Sequence, residues 1–152
     1  MKKREKLWII ALIITIAVMV AIICFSSQSA AESSKLSKGI VETLMATFPI
    51  LENIVTASQL HHFLRKLAHF SLYFILGCGL TGVASRQKRV SPILLSVLAG
   101  TAFAATDEIH QFFSDGRGPM VQDVLLDACG VAAGSIFAAL CRRCLYKWKI
   151  IP

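Results

Sequence analysis

Four stretches of the chain are apolar over lengths that cross a bilayer, and the polar residues fall between them or near their ends. Leu7 to Phe25 is 19 residues without a charge, behind Lys2, Lys3, Arg4 and Lys6; apolar runs of about 18 residues or more mark a membrane-spanning helix. Leu67 to Ala84 carries His69, Ser71 and Tyr73 in its first turns. Val90 to Thr106 has Pro92 near its start, where a helix tolerates a missing N–H. Val121 to Leu140 holds Gln122, Asp123 and Asp127 in its first two turns. The pattern predicts an all-α fold: a polytopic bundle of four transmembrane helices, near 7–25, 67–84, 90–106 and 121–140, forming a single membrane domain over residues 1–152. A cleavable signal peptide competes for the first run, because the small residues Ser26, Ser27, Ser29, Ala30 and Ala31 follow it. Signal cores are only about 7–15 residues long, so an uncleaved anchor is expected.

Between the first two spans lies a segment of residues 26–65. From Lys38, the residues Ile40, Val41, Leu44, Met45 and Phe48 recur at helical spacing until Pro49, and Ile50 to Val55 is apolar again. The segment is expected to include a short interfacial helix lying along the membrane surface, or a lid packed on the bundle. The loop Ser114-Asp115-Gly116-Arg117-Gly118-Pro119 is dense in turn formers and brings the start of the fourth span beside the end of the third.

Composition agrees with a bilayer environment, since 55% of residues are apolar and only 16% charged. A net charge of +7 raises the question of nucleic acid, and the distribution of charge answers it. Eleven of the sixteen basic residues lie at the N-terminus, in the Arg86–Arg89 loop and in the tail from Arg142 to Lys149, with Glu5 the only acid among them. Basic residues are retained on the cytoplasmic side, so both termini are expected there, with Trp8, Tyr146 and Trp148 as an aromatic belt. No nucleic-acid partner is expected. The remaining loops and helix ends hold five basic and eight acidic residues, and belong outside.

Those residues form stripes. His62, Lys66, His69 and Tyr73 are spaced i, i+4, i+7 and i+11, which puts them on one helix face with Arg65 at its border. Asp107, Glu108, His110 and Gln111 close the third span, Asp107 and Gln111 sharing a face. Asp123, Asp127, Gly130 and Gly134 stripe the fourth, so its carboxylates run into a small-xxx-small face suited to close helix approach, within the bundle or against a second copy in an oligomer. Counted from Pro119, Asp127 sits roughly 12 Å along its helix, in hydrocarbon unless shielded. A charge at mid-span costs on the order of 3 kcal/mol. Arg65, Lys66 and Arg117 are the available partners for Asp107, Glu108, Asp123 and Asp127. Holding the helices together is the plainer role for these groups, but interhelical polar contacts average only about 0.6 kcal/mol, and ionisable residues within spans are functional by default. His61, His62 and His110 carry less weight, being placed where a wet structural histidine is common. Cys24, Cys78, Cys129, Cys141 and Cys144 are expected as free thiols, and Cys141-Arg-Arg-Cys144 lacks the further ligands of a zinc site; membrane-edge thiols, open to acylation, are the simpler account.

The series Arg65-Lys66-Leu-Ala-His69-Phe-Ser-Leu-Tyr73, Asp107-Glu108-Ile-His-Gln111-Phe-Phe, Gly116-Arg117 and Asp123-Val-Leu-Leu-Asp127-Ala-Cys-Gly130, with Phe25-Ser-Ser-Gln28 after the first span, resembles the VanZ-like family in the right order over most of the chain. The resemblance implies a bacterial cytoplasmic-membrane protein from a family linked to resistance to the glycopeptide antibiotic teicoplanin, without an agreed activity.

Two functions of different class follow. One is a non-enzymatic envelope factor binding a lipid head group, a lipid-linked cell-wall intermediate or a glycopeptide-type antibiotic through Arg65, Lys66, His69, Tyr73, Asp107, Glu108, Gln111, Arg117, Asp123 and Asp127, the cations meeting phosphate and the carboxylates accepting hydrogen bonds. The other is a membrane enzyme acting on such a lipid, with Glu108 or Asp123 as general base and His69 as its acid/base partner. The absence of HExxH, GxSxG and phosphate-loop motifs favours binding, and no metal or cofactor is expected. A proton-coupled transporter is a third class, weakened by four spans without inverted repeats.

Overall fold

Helices account for nearly all of the backbone described by the structure, a computed structural model that covers residues 3–28, 30–87, 89–113 and 120–147. They are α1 (Lys3–Ser26), α2 (Ala30–Thr47), a 3-10 turn (Pro49–Asn53), α3 (Ala57–Ala84), α4 (Pro92–Phe112) and α5 (Val121–Lys147). Four of them, α1, α3, α4 and α5, are long and apolar enough to span a membrane.

The apolar runs locate the spans but understate the helices. α3 begins ten residues before its apolar run because Thr56 and Gln59 form a capping box: the Thr56 N–H donates to Gln59 Oε1 at 2.9 Å, and the Gln59 N–H donates to Thr56 Oγ1 at 3.3 Å. Arg65 and Lys66 are thereby helical residues rather than loop residues. In the intervening segment, α2 starts at Ala30 rather than Lys38, and the stretch after it is the 3-10 turn opened by Pro49.

The spans alternate in direction. At one end Trp8 Nε1–H of α1 donates to the Val83 carbonyl of α3 at 3.2 Å, and the Arg86 guanidinium lies 4.7 Å from the Trp8 ring centroid. At the other, Ser26 of α1 meets Gln111 of α4. α1 therefore starts, and α5 finishes, at the end that carries Arg86 and Arg89, here the basic end. α3 is central and packs against all four other helices, most extensively against α5.

α3 and α5 run parallel in a fixed register. Lys66 faces Asp123, His69 faces Asp127, Gly130 lies against the Phe70 carbonyl, Gly134 against that of Phe74, and Gly77 against the backbone of Val131. A Cβ at Gly134 would run into the Phe74 carbonyl, so a hydrogen at that position is what lets the two backbones touch. The glycine face expected to admit another helix is thus occupied by α3 of the same chain, and a second copy would have to use a different surface. Isoleucines and leucines such as Ile13, Ile16, Leu98 and Leu125 point outward, as a lipid-facing surface requires.

Candidate functional site

Lys66, His69 and Tyr73 climb one face of α3 in about two turns, and the parallel register sets them opposite Asp123 and Asp127 of α5. The antiparallel end of α4 completes the enclosure with Asp107, Glu108 and Gln111. The result is a cluster of polar side chains at the end of the bundle opposite the basic end, here the cup.

Exposure falls steeply with depth. Side-chain exposure is 35% for Lys66, 29% for Asp123 and 26% for His69, while Glu108, Asp107, Asp127 and Tyr73 are 6, 4, 2 and 0% exposed. One helical turn further in, Ile22, Leu76, Ala104 and Val131, one from each span, form an apolar core against Tyr73. This layer is the floor of the cup. It separates the charged groups from the polar groups beyond, which argues against a continuous proton path through the protein.

At the rim, Lys66 Nζ lies 3.5 Å from Asp123 Oδ1. Deeper, His69 Nδ1 lies 3.8 Å from Asp127 Oδ2, beyond hydrogen-bond length but an ion pair whenever the imidazole is protonated. On α4, the Gln111 amide donates to Asp107 Oδ2 at 3.1 Å and to Ser26 Oγ of α1 at 3.2 Å. Glu108 acts on the backbone instead, its Oε1 accepting the Met120 N–H at 2.5 Å. That donor sits where α5 begins, so Glu108 fastens α4 to the start of α5 and satisfies one of the N–H groups a helix leaves open there.

Several polar atoms lack hydrogen bonds. Tyr73 OH, Asp107 Oδ1 and Asp127 Oδ1 are shielded from solvent and have no hydrogen-bond partner among the described residues, and Asp123 Oδ1 has only its ion pair with Lys66. The Tyr73 phenol lies close enough to Asp107 to interact with its carboxylate, though without a bond of ordinary geometry. Its ring packs against Phe103, with centroids 6.3 Å apart. Burying an acceptor without a donor costs about 1–3 kcal/mol, so this concentration is a demand for donors that the described residues do not meet.

Of the residues singled out by sequence, the structure brings together Lys66, His69, Tyr73, Asp107, Glu108, Gln111, Asp123 and Asp127. Arg65 is half-buried at the border and makes no ion pair among the described residues. His62 is exposed and outside the cup. Arg117 and its turn lie outside the described residues. Sequence reading missed the contribution of α1: besides Ser26, the Ser27 hydroxyl lies 3.1 Å from His110 Nε2. The available signal was a serine pair closing an otherwise apolar run. Among the described residues, no three His, Cys, Asp or Glu side chains are grouped so as to hold a metal ion.

A family model described as VanZ/LLP1 matches residues 11–142, which covers most of each of the four spans and every residue of the cup. No curated protein and no solved structure matches the chain.

Proposed function

The chain belongs to the VanZ/LLP1 family, and from that membership and the charged cup we propose that it is a non-enzymatic factor of the bacterial cell envelope, binding the head group of a membrane lipid or of a lipid-linked envelope intermediate. The observation that carries this reading is the set of buried, unpartnered oxygens on Tyr73, Asp107 and Asp127 beneath a cationic rim. A phosphorylated head group has complementary parts. Lys66 and Arg65 meet phosphate at the rim, and donors on the head group reach the carboxylates below. On this reading the cup faces outward, because the opposite end carries the basic residues that are retained in the cytoplasm. An amphiphilic antibiotic of the glycopeptide type is an alternative occupant, excluded if it fails to displace bound lipid.

The test is to purify the full-length protein and identify co-purifying lipids by mass spectrometry, beside Arg65→Ala combined with Lys66→Ala. Lipid retention is expected to fall ~10-fold or more for loss of two charge-assisted contacts. Equal retention by the variant sinks the reading. Sidedness is tested separately, by impermeant thiol labelling of cysteines placed at Ser114 and Arg86 in a cysteine-free background. Labelling at 114 alone from outside supports the assignment, and labelling at 86 inverts it.

A second reading, an enzyme acting on the same lipid class, has one observation in its favour: the His69–Asp127 pair, in which a buried carboxylate lies 3.8 Å from an imidazole nitrogen. Against it, Glu108 and Asp123, the candidate bases, are engaged by the Met120 N–H and by Lys66. Turnover of a bound lipid by wild type and its loss in His69→Gln would establish catalysis.

A further inference from the structure

We propose that the cup selects a primary ammonium group, so that the head groups it takes carry a free amine rather than a quaternary nitrogen or no nitrogen at all; this rests on the head-group reading above. Donors and acceptors are out of balance at the floor. Among the described residues, the amide donors there are committed: the Gln111 amide to Asp107 Oδ2 and Ser26, and the Met120 N–H to Glu108. The Lys66 ammonium is engaged higher up, at the rim. Asp107 Oδ1 and Asp127 Oδ1 are left open at the bottom, and the Tyr73 hydroxyl, which can donate as well as accept, stands beside them without a bond of ordinary geometry. Each belongs to a side chain more than nine-tenths buried, and the three groups are electrostatic neighbours.

Charge points the same way. Among the described residues, Asp107, Glu108, Asp123 and Asp127 face a single lysine, Lys66, and His69 when protonated, with Arg65 half-buried at the border. A ligand that delivers positive charge and N–H donors at the floor offsets both deficits. A primary ammonium has three N–H donors in a compact group. A trimethylammonium carries the charge without donors and is held instead by aromatic faces, whereas this floor presents carboxylates. A sugar or glycerol hydroxyl brings one donor and no charge. The phosphate beside such an amine falls at the level of Lys66, because Asp123 and Lys66 stand about one turn, roughly 5 Å, above Asp127 and His69.

The amine is carried either by a lipid or by a soluble phosphoamine, and the experiment separates these sources. Full-length protein in nonionic detergent is titrated, with native mass spectrometry as readout, against phosphatidylethanolamine, phosphatidylcholine and phosphatidylglycerol of identical acyl chains, with and without soluble phosphoethanolamine. Phosphatidylethanolamine is expected to bind ~10-fold or more tightly than the other two, the weight of charge-assisted hydrogen bonds absent from them. Asp107→Asn with Asp127→Asn is expected to erase that preference, and Tyr73→Phe, which keeps the ring, to reduce it by roughly 2–5-fold. Should the double variant fail to fold, the wild-type series alone decides. Equal or tighter binding of phosphatidylcholine or phosphatidylglycerol overturns the amine inference and leaves the head-group reading standing. Failure of all three lipids to bind overturns both. Displacement of phosphatidylethanolamine by equimolar phosphoethanolamine supports the amine inference and shifts the occupant from a lipid to a solute.

Discussion

Toward the basic end, the polar groups inside the bundle are hydroxyls and a thiol that satisfy themselves within the chain. Thr15 Oγ1–H donates to the Ala11 carbonyl, Ser85 to that of Thr81 and Ser96 to that of Pro92, while the Thr81 hydroxyl donates to Ser96 Oγ across the α3–α4 interface at 3.1 Å. Cys78 Sγ and Ser135 Oγ point to the carbonyls of Gly134 and Gly77 where α3 and α5 touch. At the cup end, the same helices bury carboxylates and a phenol with oxygens left open. The contrast separates two uses of polarity in a membrane. Toward the basic end the polar groups are uncharged and saturated within the chain, whereas at the cup, apart from the fastening bond of Glu108, charged groups retain bonding capacity at a cost in stability.

The comparison breaks most visibly at the glycine seam that joins the two regions. Gly134→Val places a branched side chain against the Phe74 carbonyl and is expected to cost about 3 kcal/mol or abolish folding, read as lost thermal stability in detergent. Gly39→Ala in α2, where an added Cβ meets nothing within 4 Å, is the matched control and should be neutral or stabilising. Next, Glu108→Ala is expected to cost about 1–3 kcal/mol by stranding the Met120 N–H; Glu108→Gln, which keeps an acceptor, should recover most of it in chemical denaturation. Asp107→Asn with Asp127→Asn sharpens the contrast, because replacing two buried carboxyls by amides should raise the stability of the ligand-free protein by about 1–2 kcal/mol while the preference for an amine head group is lost. A fall in stability comparable to that of Glu108→Ala would assign the two aspartates to structure instead. The smallest effect is expected from Thr81→Val, about 0.6 kcal/mol, with lipid retention unchanged.

Much of the site was legible in the sequence because helical periodicity and membrane cost act together. Lys66, His69 and Tyr73 share a face at any helix register, and Asp123 and Asp127 are too expensive in lipid to point anywhere but inward. What the sequence could not show was pairing between helices. The match of Lys66 to Asp123 and of His69 to Asp127 depends on α3 and α5 being parallel neighbours, which no single stripe encodes. Gly77 escaped notice although it continues the stripe of Tyr73 at i+4, because a glycine within an apolar run looks featureless until a second backbone lies against it. Glu108 reads as one more acid of the cluster, and only its contact with the backbone of Met120 reveals a fastening role. The apolar run of α3 begins later than its helix, to which the stripe from His62 already pointed, for a simpler reason: a hydropathy threshold registers where lipid begins, not where the helix does.

The parallel pairing of α3 with α5 also sets an order of events during synthesis. Cys78 and Gly134 meet across 56 residues of chain, and at ~5–20 residues per second the ribosome needs roughly 3–11 s to deliver the second after the first. For most of that interval the central helix holds Lys66 and His69 in place before the aspartates that will face them exist. Until the last span arrives, Lys66 and Arg65 are balanced by the two acids of α4, Asp107 and Glu108, and the two aspartates of α5 then make the cavity acid-rich.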